Sequence, residues 1–301
     1  MTTIMTTNVA KNQGAASKTS SNRMGNSVYQ GVQLTAKVPL PPKKYVPDAD
    51  KLNRQVAGIN ARLRYLSTSN PKTLLSIGYG YLTGILHLAP ATEAGKDFKT
   101  CHRFAHCADG CLYHQGRGRM PNVVNARIRR THELFVARDW TLRDIANDIR
   151  LIQETGRKLG LRPAIRLNGL SDLLWETPEF SLNGCSLFDM FPDVQFYDYT
   201  KWKYKTRPAW DGSINNYHLT YSFNGQESDI QNCLDVLSAG HNVNVVYSKD
   251  NYNKNLSLIK AGALHPWGYP MLDNEQHDLR FCDVSPSINI AKEKGYSKLA
   301  V

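Results

Sequence analysis

Three cysteines stand within eleven residues of the chain: Cys101, Cys107 and Cys111, in the segment Cys101-His102-Arg103-Phe104-Ala105-His106-Cys107-Ala108-Asp109-Gly110-Cys111. Thiolates are soft metal ligands, and a C-x5-C-x3-C spacing in one short loop lets all three wrap a single centre. Two centres suit these donors. Zinc would take a fourth ligand, which His102, His106 or His114 could supply. A [4Fe–4S] cluster held by the three cysteines alone would leave one iron open to a substrate or cofactor. The iron–sulfur cluster is the preferred reading and zinc the alternative. Cys185, Cys233 and Cys282 are scattered, and read as small core residues.

Cations crowd the same stretch. Residues 101–130 hold six Arg and one Asp, enough to offset a negative thiolate-ligated cluster or to contact phosphate. Arg117 and Arg119, in Gly116-Arg117-Gly118-Arg119, are candidates for nucleic-acid contact. Further on, Lys201-Trp202-Lys203-Tyr204-Lys205-Thr206-Arg207 interleaves cations with aromatics. Rings in such a pattern stack on bases while cations follow phosphates, so Lys203, Lys205 and Arg207 join that group. The whole chain carries 37 Lys and Arg against 26 Asp and Glu, a net charge of +11. That balance favours an anionic partner, a nucleic acid or a nucleotide. A solvated basic surface is the plain alternative.

These residues need elements to hold them. Apolar spacing predicts a helix over Leu52–Leu66, a strand pair over Thr73–Ile77 and Tyr81–Leu88, and helices over Val123–Val136 and Leu142–Leu159. Thr141 is the expected N-cap of the last and Gly160 its stop. Strand patterns follow at Ala164–Asn168, Val194–Tyr199, Tyr217–Ser222 and Val243–Tyr247, with a last pair at Tyr269–Leu272 and Leu279–Phe281 and a helical stretch at Asp229–Leu237. Strands separated by helices imply crossover units and a mostly parallel sheet. The expected fold is therefore α/β, a full or partial (βα) barrel, with an open doubly wound sheet as the competing topology. Residues 1–50 read as a basic, disordered arm holding five Lys and one Arg against two Asp. Residues 51–284 form the barrel-like domain, and 285–301 a C-terminal tail.

Several of these strands carry polar side chains at period two. Arg166 and Asn168 alternate with Ile165 and Leu167, Tyr197 and Tyr199 flank Asp198, and Thr220 and Ser222 flank Tyr221. Polar atoms on buried parallel strands must be paired with one another or must line a ligand cavity. The alternation predicts that Arg166, Asn168, Tyr197, Tyr199, Thr220 and Tyr247 share one cavity facing the cysteine loop. Asp172 and Lys201, just past strand ends, are further candidates for cofactor or substrate contact. So are His277, Asp278 and Arg280, which could complete a polar ring with Asp273. No catalytic residue is assigned, and the chain shows no phosphate-binding P-loop, dinucleotide fingerprint, HExxH or nucleophile elbow. The longest apolar stretch, Leu74–Leu88, is broken by Gly78, Gly80 and Gly84 and is too short to span a bilayer. With no apolar segment near the N-terminus to act as a signal, the expected compartment is the cytoplasm.

Longer motifs resemble the phage gene product 88 family, which also occurs in bacteria. They are Cys107–Arg119 (CADGCLYHQGRGR), Asn125–Arg127 (NAR), Ile165–Glu176 (IRLNGLSDLLWE), Phe191–Lys201 (FPDVQFYDYTK), Asn216–Ser222 (NYHLTYS) and His277–Phe281 (HDLRF). The resemblance covers about residues 65 to 285. The family's layout of strand, three-cysteine loop and βα repeats is similar to that of the radical S-adenosylmethionine enzymes, which usually place their cysteines as C-x3-C-x2-C. The likeness implies S-adenosylmethionine at the open iron, held from the strand ends by Asn168 and Asp198.

Overall fold

A computed structural model describes residues 49–102, 111, 113 and 116–293. Cys107 and the arm expected over residues 1–50 fall outside them, save the last two residues of that arm, which open the first helix.

That helix, α1 (Ala49–Asn60), leads to a two-residue strand, β1 (Leu66–Ser67). Next comes α2 (Pro71–Ile77), a helix where the apolar run suggested a strand. Its first turn explains the difference. The Asn70 side chain accepts a hydrogen bond from the Thr73 amide and Pro71 opens the helix, so the capping signals outweigh a short apolar run. The fully buried strand β2 (Tyr81–Leu86) follows. Two long helices come after the cysteine loop, α3 (Pro121–Val136) and α4 (Arg138–Leu159). The break between them falls at Ala137 rather than Thr141, and Gly160 ends α4 in the left-handed conformation at φ 67°.

The remainder alternates as expected: β3 (Arg162–Arg166), a short α5 (Leu187–Met190), β4 (Gln195–Thr200), β5 (Tyr217–Ser222), α6 (Ile230–Ser238), β6 (Asn242–Tyr247), α7 (Lys249–Lys260), β7 (Met271–Asp273) and β8 (Ile288–Lys292). The strands form one eight-stranded sheet in the order β1-β2-β3-β4-β5-β6-β8-β7. Among the described strands only the β1–β2 pair is antiparallel. The chain is thus a mixed α/β protein. Two readings of its last third differ from the expectation. Ile288–Lys292, assigned above to a tail, is a strand inserted between β6 and β7, and Ile288 and Ile290 are wholly buried. Leu279–Phe281 is not a strand; it leads into a single 3-10 turn over Arg280–Cys282.

The two faces of the sheet are covered differently. Helices cover one: α4 lies on β2 and β3, α6 on β6, and α7 on β6, β7 and β8. Contact there is close enough that a Cβ on Gly84 would come within 2.5 Å of Ile152 Cδ1. The other face, called inner below, is covered by the chain's own segment 274–283. Leu279 packs there with Tyr79, Tyr81, Ala164 and Tyr197, and Phe281 and Cys282 lie against them. Among the described residues no helix is long and apolar enough to cross a membrane.

Candidate functional site

The cysteine loop leaves the sheet at the carboxyl ends of the parallel strands. Beyond β2 the backbone is pinned by Thr100, whose hydroxyl donates to Ala89 O at 2.6 Å and whose amide donates to Ala91 O at 3.0 Å. The Asp172 amide, beyond β3, donates to Thr100 O at 2.9 Å, and the Cys101 thiol donates to Leu170 O at 3.5 Å. The His102 ring lies 5.7 Å from that of Trp202, beyond β4. Cys101 therefore stands where the segments leaving three adjacent strands meet. Cys111, also half-buried, lies with Tyr113 beside Arg127, whose guanidinium is 5.6 Å from the Tyr113 ring centre. Cys107, His106 and His114 lie outside the described residues. Among those described, no group of three or more His, Cys, Asp or Glu is placed to hold a metal ion.

Several polar candidates form a closed network on the helix side of β3, β4 and β5. The Asn168 side-chain oxygen Oδ1 accepts from Ser171 Oγ, the Leu173 amide and Trp175 Nε1 at 2.9–3.1 Å, while its backbone amide donates to Asp198 at 2.7 Å. Tyr217 donates to Asp198 at 2.9 Å. Arg207 grips Glu176 through Nε at 2.8 Å and Nη2 at 3.1 Å, and donates to Asp172 at 3.2 Å. Its side chain is 0% exposed. Of the cations proposed for nucleic acid, Arg207 therefore offers no atom to a phosphate, whereas Arg119, Lys203 and Lys205 are exposed; the side chain of Arg117 is outside the described set. Burial pushes the Asp198 carboxyl up to about 7 despite Arg207, and pushes Asp172 upward as well.

A second network lies on the inner face. Asp278, on the covering segment, accepts from Arg166 Nη1 and Tyr197 Oη at 3.2 Å and from Tyr199 Oη at 3.3 Å. Burial alone would raise the Asp278 carboxyl, but Arg166, Lys72 and Arg280 hold it below the usual range. Arg280 donates to Asn289 at 2.6 Å and pairs with Asp283 at 2.9 Å. His277 packs 4.7 Å from the Tyr79 ring, and burial, reinforced by Arg280, lowers it to about 4, so it is neutral at pH 7. Thr220 lies on this same face in register with Tyr199. His277, Asp278 and Arg280 thus belong to one buried network, in which Arg166 Nε, Arg280 Nε and Asn289 Nδ2 find no hydrogen-bond partner among the described residues, while Asp273 accepts from Tyr252 at 2.7 Å.

The six residues expected in one cavity are divided by the sheet. Arg166, Tyr197, Tyr199 and Thr220 face inward; Asn168 belongs to the Arg207 network; Tyr247 lies on the helix side, where its hydroxyl meets His265 Nε2 at 2.8 Å. Lys201 and Ser222 form a separate clasp at 3.2 Å between the ends of β4 and β5.

Three residues at the rim were not singled out from the sequence: His87, Arg127 and Arg130. His87 follows β2, and burial, with Arg127, Arg166 and Arg130 facing it, drives its imidazole down to about 3. Desolvation likewise lowers the Arg127 and Arg130 guanidinium groups. The arginine-rich stretch 101–130 was the available signal, and it read as counter-charge for a cluster or as contact for phosphate without joining these two residues to His87.

Among curated proteins and among solved structures, none matches this chain. The model of the gene product 88 family matches residues 54–300, and the chain belongs to that family.

Proposed function

We propose that Cys101, Cys107 and Cys111 hold one metal centre, an iron–sulfur cluster, at the carboxyl rim of the sheet, and that the protein acts there on a nucleotide or nucleic acid. The observation that carries this is the position of Cys101, at the junction of the segments leaving β2, β3 and β4. Ligands of parallel α/β sheets bind outside the carboxyl ends of the strands. The donor set fits the group: three thiols suit iron–sulfur chemistry, and Arg127 beside Cys111 would offset thiolate charge. When bound, such a cluster supplies electron transfer or an open iron for a chelating ligand. Asn168 and Asp198, buried and bonded to each other, present no free atoms to the rim. S-adenosylmethionine at an open iron would therefore be held by other rim groups, and incubating the reduced protein with it and assaying 5′-deoxyadenosine tests that cofactor.

The same contacts support a sheet curled toward a partial barrel. Arg280 reaches Asn289 on β8, while its neighbour Phe281 packs 5.1 Å from Tyr81 on β2. Five strand spacings separate β2 from β8 in the sheet order, roughly 24 Å if flat at about 4.8 Å each. Contacts from two adjacent residues to strands so far apart in the sheet support strands that curve around the 274–283 segment. With the interior thus filled, the rim is the place for a substrate.

Anaerobic purification followed by iron, sulfide and zinc analysis tests the centre. A brown protein is expected, with metal content falling sharply in Cys101→Ala, Cys107→Ala and Cys111→Ala but not in Cys185→Ala. Full metal retention by Cys107→Ala would overturn it. A colourless protein holding zinc would favour the second reading, a zinc-stabilised nucleic-acid-binding protein without catalysis. The exposed Lys203 and Lys205 beside Trp202 support that alternative.

A further inference from the structure

We infer that Arg127, Arg130 and Arg166, gathered around His87, form an oxyanion site that takes a terminal phosphate group. The site is made of residues other than the three cysteines, although Arg127 also stands beside Cys111.

The fold brings the four together from three elements. The Ala89 amide donates to Thr131 Oγ1 at 2.9 Å, tying the segment after β2 to α3 one turn beyond Arg127. Arg127 and Arg130 then lie on the face of α3 turned toward His87. Arg166 reaches the same place from the end of β3, in register with Ile85 on β2. Gly169 closes the floor: its amide donates to Leu86 O at 2.9 Å, and a Cβ there would come within 2.9 Å of His87 Cδ2.

Charge is unbalanced at this place. Arg166 pairs with Asp278, and its side chain is 16% exposed. Arg127 donates one hydrogen bond, to Gly118 O at 3.2 Å, and stands over the Tyr113 ring. The carboxylates nearest Arg130 are engaged elsewhere. Asp148 accepts the amides of Arg64, Tyr65 and Leu66, and Glu133 accepts from Tyr65 Oη and Arg129. The Nε atoms of Arg127, Arg130 and Arg166 are all buried without a hydrogen-bond partner among the described residues. His87 adds no opposing charge. Among the described residues neither Arg127 nor Arg130 makes an ion pair; Asp148 and Glu133 act on Arg130 only from a distance and Cys111 lies by Arg127, and guanidinium groups so weakly balanced in a half-buried setting are costly unless an anion joins them. A phosphate monoester carries about −1.5 to −2 near pH 7 and offers three acceptor oxygens, matching two cations whose planar forks suit phosphate. Half-burial suits a terminal group better than a continuous phosphate backbone, which needs an open track.

The test measures thermal shift and titration calorimetry on the full-length protein with inorganic phosphate and with ATP. A 5′-phosphorylated oligonucleotide is compared with its unphosphorylated twin to separate a small nucleotide from a nucleic-acid end. Phosphate and ATP should raise the melting temperature, with affinity at least about tenfold weaker in Arg127→Gln and in Arg130→Gln. Arg129→Gln removes the same charge from the exposed side of α3 and should bind like the parent protein. Without ligand, Arg127→Gln should melt no lower than the parent, because a half-buried, unbalanced cation is gone. No binding by the parent, equal weakening by Arg129→Gln, or a ligand-free Arg127→Gln protein that melts well below the parent would each overturn the proposal. Loss of metal from Arg127→Gln with phosphate binding absent throughout would make these arginines counter-charges of the cluster instead.

Discussion

Two groups of arginine lie near one another at the carboxyl ends of the strands, and their environments are opposite. Around Arg207 two carboxyl groups, Glu176 and Asp172, share one guanidinium, and Asp198 joins the network through Tyr217 and Asn168. Around His87 three guanidinium groups face one neutral imidazole, and among the described residues only Arg166 of the three makes an ion pair. The first arrangement is complete in its hydrogen bonds: every nitrogen of the Arg207 guanidinium has a partner, burial pushes Asp172 and Asp198 toward their neutral forms, and the loops after β3 and β4 are locked in place. The second holds surplus charge in a partly desolvated place, which is what a group waiting for a ligand looks like. Buried charge alone does not separate structure from function. The state of its balance does.

The largest expected effect tests the complete side. Arg207→Met should cost about 3–5 kcal/mol in urea unfolding, because buried carboxylates lose their cation. The matched Arg127→Met should change stability by less than about 0.5 kcal/mol, or raise it. Equal losses in the two variants would dissolve the contrast. Next in size is Gly169→Ala. Its methyl would meet Leu86 O at 2.5 Å and Ile85 Cγ2 at 2.8 Å, an overpacking cost of about 1–3 kcal/mol. It should also weaken phosphate binding by displacing His87. Retained stability together with retained phosphate affinity would show that the floor of the site is softer than described.

A smaller effect is one of pH. Asp198 titrates at about 7 in the folded chain against an ordinary 3.8. Between those values the folded state holds more protons than the unfolded one. The contribution of Asp198 to stability is therefore fully present below about pH 4 and is lost as pH rises to about 7, by at most about 1.4 kcal/mol per pH unit. Asp198→Asn should flatten that slope in a series of melting curves whatever it does to absolute stability; an unchanged slope would move the titration to another group. The smallest effect belongs to the surface. Arg129→Gln breaks an exposed pair with Glu133 and should shift stability by less than about 0.5 kcal/mol.

Much of the frame was legible in the residues. Period-two alternation marked β5 to its ends, and long amphipathic runs with Gly160 marked α3 and α4. Short segments failed for physical reasons. Thr73–Ile77 is as apolar as a strand, yet Asn70 and Pro71 start a helix there. Leu279–Phe281 has the look of a strand because its apolar side chains serve the sheet's inner face from outside the hydrogen-bonded ladder. Ile288–Lys292 lies so near the C-terminus that its alternation passed for the end of a tail, although it pairs on both edges. At the site, the strand polars were recognised as needing partners, but their split between two faces depends on where β3 and β4 end and turn. Arg127 and Arg130 could not be told from a solvated helix face without knowing that His87 and β3 lie opposite. The three-cysteine spacing was plain from the outset, since ligand motifs are local in sequence while charge balance is not.

The segment that covers the inner face also has a consequence in time. Arg166 and Tyr197 find their partner Asp278 across 112 and 81 residues, and Lys72 reaches Asn274 across 202. During synthesis β2 to β6 leave the ribosome long before residues 274–283 do. Until those residues arrive, one side of the nascent sheet offers unsatisfied arginine and tyrosine groups with no apolar neighbour to cover them. The sheet therefore cannot mature strand by strand; its inner face waits on a segment made after β2 to β6. A chain halted before residue 274 would stay open along that face, adhesive to other chains and dependent on chaperones, while one that reaches residue 283 can close it in a single cooperative step.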